Sequence, residues 1–381
     1  MSKVFEIRKA GFLNKGAAMM LIAAAQEVRA RLSDAIVTVA PDYTMPFQPR
    51  ADHGLWQRPE VMRFGVDLGR VVSVLPRNWR RRYGFITEGE IDIVLDAAGF
   101  GYSDQWGGWL INDLDKRSNR WKRQGKKLIL LPQAFGPFDN SEAKSAMARI
   151  ADRADLIFAR DATSFKHLTG AVGERPNIRQ APDFTNLLSP ADPGDLLSGF
   201  DRPVAIVPNA RMLDKTSETE AAGYVEKMRQ IVHELQEADL DPFLLVHEGA
   251  QDKAIGDRIN EELPRPMQVI WPEDPLVAKG VIQQCEGVVA SRFHALVSAL
   301  AQGVPALGTS WSHKYGELFS DYGCPQCLMS DDEPSTVDPA QLRTLTDPLN
   351  RADMAAQLKE RSRHLKRESR AMWEQVFSVV A

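Results

Sequence analysis

Short apolar runs rich in β-branched residues alternate with longer amphipathic stretches from the start of the chain to about residue 310. This alternation is typical of βαβ units, in which helices cover both faces of a parallel sheet. It predicts an α/β fold with parallel sheets. The predicted strands cover residues 4–7, 36–39, 91–96, 127–131, 156–159, 204–207, 243–246, 268–271, 287–290 and 305–308.

Turn residues interrupt the alternation between Asp192 and Pro203, and this stretch is the best linker candidate. The 381 residues fit two domains at roughly 150 residues each. We therefore predict an N-terminal domain over residues 1–195 and a C-terminal domain over residues 203–335. Residues 336–381 are mostly polar and charged, with apolar residues at helical spacings. This pattern predicts a helical extension.

The composition excludes several classes of partner and cofactor. The chain has 47 Lys and Arg against 51 Asp and Glu, a net charge of -4, so we expect no nucleic-acid partner. Its seven histidines are dispersed without a metal-binding spacing, so we predict no metal or other cofactor. Three cysteines are too few for a disulfide framework, and we expect a cytoplasmic protein. The Cys324 and Cys327 pair is interpreted as ordinary thiols.

The apolar run over residues 17–25 follows basic residues, as in a secretory signal. Glu6 lies in the basic region, however, and the helical pattern continues past the run. A strand, a glycine loop and a helix are the better interpretation. No stretch approaches the roughly 18 uncharged apolar residues of a membrane span. The sequence carries no signal for an oligomeric state.

Glycines and polar residues accumulate after the predicted strands. Ligands bind beyond the carboxyl ends of parallel strands, because loops and helix N-termini gather there. We therefore predict that both domains have ligand sites at these ends. The residues concerned are Asn14, Gly16, Gly99, Gln133, Arg160, Asp183, His247, Arg292, Phe293, His294 and Lys314.

The segment 286–308 is the most informative one. An apolar strand leads into Ser291, a good helix N-cap, and Gly303 is a good residue for the end of that helix. Arg292 and His294 would then lie in the first turn. Because cations are unfavourable at the positive end of a helix, their presence indicates a bound anion. The alternative is that His294 packs among small residues and hydrogen-bonds a carbonyl.

With these residues identified, the chain resembles the polysaccharide pyruvyl transferase family. The resemblance rests on Arg292-Phe-His-Ala-Leu-(x)3-Leu-Ala-Gln-Gly-Val-Pro305 followed by His313-Lys314, and on the Gln133–Phe138 and Ala159–Ser164 segments with Asp183. It departs from the family in having Ala17 after Asn14-Lys15-Gly16, fewer adjacent glycines after residue 96, and Phe293 in place of Leu. The resemblance implies two Rossmann-like domains facing a cleft, as in GT-B glycosyltransferases.

The resemblance also implies an activity, the transfer of pyruvate from phosphoenolpyruvate to a sugar as a ketal. On this hypothesis Arg160 and Arg292 bind the carboxylate and phosphate with their guanidinium forks, and Lys314 adds a charge on the phosphate. His294 transfers the proton, since histidine titrates near neutral pH. Asp183 binds sugar hydroxyls or orients Arg160, and His247 touches ligand. Asp161 has the same two roles open to it, or caps a helix.

The resemblance implies a further division of labour. The N-terminal domain would bind the acceptor, a sugar or lipid-linked glycan, and the C-terminal domain would bind phosphoenolpyruvate. Asn14, Gly16, Gly99 and Gln133 would belong to the acceptor side, and Phe293 would line the phosphoenolpyruvate side.

Two other functions remain open. One is a GT-B glycosyltransferase that uses a nucleotide sugar, with Glu317 holding a ribose. The other is a non-catalytic binding protein with the same fold. The basic segment 77–83 is interpreted as a solvated loop, or as a peripheral membrane contact if the acceptor is lipid-linked.

Overall fold

The computed structural model describes residues 2–60, 62–63, 66–329 and 336–380. Its contacts divide the chain into two compact units. Unit 1 comprises Met1–Leu13, Met20–Phe184 and Ser369–Ala381, and unit 2 comprises Asn14–Met19 and Thr185–Glu368. The domain boundaries inferred from the sequence stay predictions, and the one at residue 335 lies outside the described residues.

Unit 1 is built on a parallel sheet with the order β3-β2-β1-β6-β7-β8-β9. A separate antiparallel pair is formed by β4 and β5. The strands are β1 (Val4–Arg8), β2 (Ile36–Val39), β3 (Trp56–Gln57), β4 (Met62–Arg63), β5 (Val66–Asp67), β6 (Ile93–Asp96), β7 (Lys127–Gln133), β8 (Leu156–Ala159) and β9 (Ile178–Gln180). The helices are α1 (Lys15–Arg31), of which the first turn belongs to unit 2, α2 (Phe47–Asp52), α3 (Arg77–Arg82), α4 (Trp109–Arg123), α5 (Ser141–Arg153) and α6 (Ala162–Val172).

Unit 2 has a five-stranded parallel sheet with the order β12-β11-β10-β13-β14. Its strands are β10 (Pro203–Val207), β11 (Asp241–Leu245), β12 (Val269–Ile270), β13 (Gly287–Ala290) and β14 (Ala306–Gly308). Its helices are α7 (Arg211–Asp214), α8 (Glu218–Glu237), α9 (Ala250–Asn260), α10 (Pro275–Gln283), α11 (Phe293–Gln302), α12 (Lys314–Asp321), α13 (Pro339–Thr346) and α14 (Pro348–Val380), whose residues from Ser369 onward belong to unit 1.

Each sheet reverses its strand order once. In unit 1 the reversal lies between β1 and β6, which pair in parallel with Arg8 opposite Asp96. In unit 2 it lies between β10 and β13, with Val207 opposite Ala290. Helices that leave such neighbours on opposite faces open a crevice at the carboxyl ends, where α/β proteins bind ligands.

The prediction of an α/β protein with two parallel sheets is confirmed, and all ten predicted strands are present with bounds that shift by a few residues. Four of the described strands are not among the ten predicted ones: the two-residue β3, β4 and β5 and the three-residue β9. They are too short to show a period. The predicted C-terminal helix is α14. Its apolar residues Leu358, Leu365 and Met372 are buried, because they fall on one face of the helix.

The apolar run 17–25 lies within α1, as predicted. No helix in the described part of the chain has the length and apolar content needed to cross a membrane.

Candidate functional site

Asn209, which follows β10, links the ends of β10 and β13, the two strands between which the strand order of unit 2 reverses. Its Nδ2 donates to the Ser291 carbonyl after β13 at 2.8 Å, and its Oδ1 accepts from the Arg211 backbone N–H at 2.9 Å. Only 2% of Asn209 is exposed. Because both ends are fixed by buried hydrogen bonds, the loop that carries Arg292 and His294 has a defined position.

The prediction that Ser291 caps the next helix is wrong. Helix α11 begins one residue later, with Arg292 at the N-cap position and no side-chain cap. Ser291 is fully buried, and its Oγ lies 2.6 Å from the Tyr224 hydroxyl and 2.6 Å from Thr309 Oγ1. These buried partners hold the serine hydroxyl away from the helix. Gly303 ends the helix with a φ of 75°, as predicted.

The guanidinium of Arg292 is held by two carboxylates. Its Nε and Nη2 donate to Asp252 at 2.8 and 2.5 Å, and its Nη1 pairs with Glu248. Asp252 is fully buried in the first turn of α9, and it also accepts from the Ala210 backbone N–H. Burial raises the pKa of Asp252 to about 7 and lowers the pKa of Arg292 to about 10. No motif in the sequence indicates that this fork already has acidic partners.

His294 lies in the first turn of α11, directly against the start of α1. A Cβ atom built on Gly16 would lie 2.2 Å from His294 Nδ1, far inside van der Waals contact. The position therefore requires glycine, because any side chain would displace the imidazole. Asn14 fixes this turn, since its Oδ1 accepts from the Ala17 N–H at 3.1 Å and its Nδ2 donates to Glu248 at 2.8 Å.

Two further groups of this cluster are buried. His247, which follows β11, is 2% exposed, and no group among the described residues hydrogen-bonds its Nε2. Burial lowers its pKa well below 6.5, and the charges of Lys15, Arg292 and His294 lower it further. Lys15 is 6% exposed, and burial lowers its pKa although Asp252 and Glu273 oppose this.

These residues define what we call the unit 2 cluster: Asn14, Lys15, Gly16, His247, Glu248, Asp252, Arg292 and His294. Sequence reasoning selected five of them and missed Lys15, Glu248 and Asp252. Lys15 could have been selected from the sequence, because it lies between Asn14 and Gly16 in the predicted glycine loop. The two carboxylates lie in the loop and helix after β11, and no periodic pattern connects them to Arg292.

Lys314 begins α12 and is packed on aromatic rings. Its Nζ lies 4.2 Å from the centroid of Trp311 and 5.5 Å from the centroids of Phe293 and Tyr315. Such cation–π contacts stabilise a buried ammonium. Phe293 thus lies against Lys314, and also edge-on to His294 with ring centroids 5.4 Å apart.

The remaining predicted residues lie at the carboxyl edge of the unit 1 sheet. Arg160, after β8, donates from Nη1 to Asp183 at 3.0 Å, with 4% and 5% of the two side chains exposed. Asp183 thus orients Arg160, one of the two roles proposed for it. Asp161 caps α6 by accepting from the Ser164 N–H at 2.6 Å, so the capping alternative is confirmed for this residue.

Gln133 and Gly99 lie at the same edge. Gln133 is fully buried, and its Nε2 lies 3.4 Å from Asp96, which accepts from the Tyr102 hydroxyl at 2.7 Å. Burial raises the pKa of Asp96. Gly99 has a φ of 67°, and its carbonyl accepts from the Ala134 N–H at 2.8 Å, so it forms the turn after β6. No three His, Cys, Asp or Glu side chains of the described residues come together as a metal site requires.

The fold defines a class, the proteins with two Rossmann-like domains known as GT-B-like. Anabaena Alr3699/HepE, solved with UDP and glucose, is 13% identical with a TM-score of 0.61, covering 100% of this chain and 99% of its own. S. aureus MnaA, solved with UDP, is 11% identical with a TM-score of 0.59 and coverages of 94% and 91%. The glycosyltransferase SnogD from Streptomyces nogalater is 13% identical with a TM-score of 0.52 and full coverage of both chains. These likenesses establish the fold.

The family model for polysaccharide pyruvyl transferase matches residues 14–313. The chain therefore belongs to the polysaccharide pyruvyl transferase family, a family of transferases, as its motifs predicted. No curated protein shows significant sequence similarity to it.

Proposed function

We propose that the protein transfers the pyruvyl group of phosphoenolpyruvate to a sugar of a polysaccharide or of its precursor, forming a ketal. The observation that carries this proposal is the unit 2 cluster. Lys15, His247 and His294 gather there beside the start of α11, which no side chain of the described residues caps. A buried lysine at a helix N-terminus suits a small anion with a phosphate and a carboxylate.

The formal charges of the cluster balance before a ligand binds. Lys15 and Arg292 carry two positive charges, and Glu248 and Asp252 carry two negative charges when ionised. A bound dianion would therefore favour uptake of a proton. Asp252, with its pKa of about 7, is an acceptor available near neutral pH. Arg292 then acts by positioning the start of α11, while Lys15 and His294 meet the ligand.

The chemistry assigns a donor role to His294. A proton passes from the imidazolium to the methylene carbon of phosphoenolpyruvate, and a sugar hydroxyl attacks the adjacent carbon. The bond from that carbon to the phosphate oxygen then breaks, inorganic phosphate leaves, and a second hydroxyl closes the ketal. The two hydroxyl protons are released, one of them returning to His294. Acid–base catalysis of this kind is commonly worth about 10²–10⁴-fold.

The residues at the unit 1 edge would bind the acceptor in this proposal. Gln133, Asp183 and the turn at Gly99 offer hydrogen-bonding groups for a sugar or a lipid-linked glycan. Arg160, which is paired with Asp183, remains a candidate ligand residue of this edge. The three cysteines carry free thiols, which fits a cytoplasmic enzyme.

A second candidate is a transferase that uses a nucleotide sugar. It is favoured by the UDP in the solved structures of Alr3699/HepE and MnaA, which share the fold. In that case Glu317 of α12 would hold the ribose. The two candidates differ in ligand, and the same titration distinguishes them.

The decisive experiment is a thermal-shift titration of the full chain with phosphoenolpyruvate, UDP and UDP-glucose. A ligand at 100 times its dissociation constant stabilises the protein by about 2.7 kcal/mol. We expect stabilisation by phosphoenolpyruvate that Lys15→Met abolishes, together with phosphate release when a sugar acceptor is supplied. Stabilisation by UDP alone would support the second candidate, and no response to any of the three would support a non-catalytic binding protein.

A further inference from the structure

A basic segment of unit 1 has no acidic residue. Residues 68–87 contain five arginines and no Asp or Glu, in a chain whose net charge is -4. Apolar and aromatic residues are interleaved with the arginines. The sheet accounts only for the end of this segment, where Phe85 bridges Gln57 of β3, and the unit 2 cluster contains none of it.

The apolar side chains of this segment face solvent. Val71, Val74 and Leu75 precede α3 and are 66%, 83% and 38% exposed, and Trp79 and Tyr83 are 48% and 52% exposed. The rings of Trp79 and Tyr83 lie side by side, with centroids 4.6 Å apart. We call these five residues, with Arg77 and Arg82, the α3 surface.

Arg80 determines which side of α3 faces outward. It is 8% exposed, pairs with Glu90, and donates from Nε to the Leu75 carbonyl at 3.1 Å. Arg80 is therefore an anchor, contrary to the solvated loop that the sequence predicted for the segment. Arg82 is exposed, and no carboxylate of the described residues pairs with it. Arg77 is half exposed, with Glu90 at 3.3 Å.

We propose that the α3 surface docks the protein on an anionic lipid bilayer. Exposed apolar side chains that cluster on a protein surface mark an interaction site. Tryptophan and tyrosine favour the boundary between lipid headgroups and acyl chains, and arginines are attracted to anionic headgroups. A soluble polyanion without aromatic rings would engage the arginines alone and leave the apolar side chains in water. A nucleic acid could stack on the aromatic rings, but the net charge of -4 disfavours it, so the combination fits a lipid surface. The proposal does not depend on the proposed function.

Co-sedimentation with vesicles tests the proposal on the full chain. We expect binding to vesicles with about 30% phosphatidylglycerol in phosphatidylcholine and much weaker binding to phosphatidylcholine alone. Arg77→Gln/Arg82→Gln removes two charges and should lower the partition coefficient about 30-fold. Trp79→Ser should lower it about 10-fold. Raised salt should weaken binding of the wild type.

Two control variants match these changes elsewhere on the surface. Trp271 is 45% exposed, so Trp271→Ser tests the loss of an exposed tryptophan, and Arg265→Gln tests the loss of an exposed arginine. Both should bind as the wild type does, and circular dichroism should show every variant folded. Absence of binding to anionic vesicles would overturn the proposal. The proposal would also be overturned if the protein bound soluble dextran sulfate as strongly as anionic vesicles and Trp79→Ser left vesicle binding unchanged. That result would indicate a polyanion site.

Discussion

The carboxyl edges of the two sheets have the same topology but different electrostatics. At the unit 1 edge Asp183 pairs with Arg160, and the Tyr102 hydroxyl donates to Asp96. At the unit 2 edge Lys15 and Arg292 lie with Glu248 and Asp252, and His247 keeps a buried nitrogen that no described residue bonds. Buried polar groups normally have partners, so an unbonded nitrogen inside a cluster of charged side chains marks a place where a ligand is expected.

Glycine has a different use at the two edges. Gly99 has a positive φ and makes a turn, whereas Gly16 lies in a helix and leaves space for an imidazole. Gly99 is therefore needed for the backbone conformation of a turn, whereas Gly16 is needed for the position of the imidazole. On the proposed function, the chemistry therefore belongs to unit 2 and the binding of an uncharged partner to unit 1. The following variants test that difference.

The largest effect is expected from His294→Ala. If the unit 2 cluster supplies the transferred proton, turnover should fall about 10²–10⁴-fold while the protein stays folded. His233→Ala in α8 is the matched control, because it removes an exposed histidine from the same unit. Phosphate release from phosphoenolpyruvate measures both. Wild-type turnover in His294→Ala would remove the catalytic role of the cluster.

Arg160→Met tests whether the unit 1 pair is structural. Removing the arginine leaves Asp183 buried beside an apolar side chain, and breaking a buried pair in this way costs about 3 kcal/mol of unfolding free energy. Urea unfolding measures the loss. Arg160→Lys keeps the charge but loses the planar fork. If Arg160→Lys is as stable as the wild type yet no longer responds to phosphoenolpyruvate, the arginine is a ligand residue and the contrast between the edges weakens.

The sequence predicted those features that follow from the period of the strands. Parallel strands put their carboxyl ends on one edge, so the order of strands and loops along the chain is enough to assign residues such as Arg160 and His247 to an edge. Asn14 and Gly16 could be assigned to ligand binding from their loop, but not to unit 2. That grouping depends on the contact of Gly16 with His294, residues 278 positions apart in the sequence.

Partners of charged side chains were the part that the sequence could not predict. The guanidinium of Arg292 was expected to bind a ligand, and in the structure it pairs with Glu248 and Asp252, which lie in the loop and helix after β11. Arg80 was expected on a solvated loop, and it pairs with Glu90. Ser291 was expected to cap a helix, and its hydroxyl joins Tyr224 and Thr309. Each of these pairings joins side chains from different loops or helices. No repeating sequence pattern indicates which of those side chains come together.

Gly16→Ala sharpens the comparison of the glycines. The added methyl group would lie 2.2 Å from His294 Nδ1, so the imidazole or the first turn of α1 must move. A displacement of about 1 Å at a reacting group can cost about 10²-fold in turnover. Gly170→Ala in α6 is the control, because nothing lies within 4 Å of its Cβ position and alanine favours a helix by about 1 kcal/mol. Turnover in Gly16→Ala equal to that of Gly170→Ala would show that the close approach does not position His294.

His247 gives the smallest and most specific effect, a dependence of stability on pH. Its pKa is well below 6.5 in the folded protein, so the unfolded chain takes up a proton at a pH where the folded protein does not. The stabilisation from this residue is therefore complete above pH 6.5 and is lost as the pH falls, by about 1.4 kcal/mol per pH unit. His247→Gln should flatten the slope of the unfolding free energy of unit 2 between about pH 6.5 and 5, as measured by urea titration at several pH values. His233→Gln should retain it. If both variants keep the wild-type slope, His247 titrates normally, and the unit 2 edge would lack the buried neutral histidine that distinguishes it from the unit 1 edge.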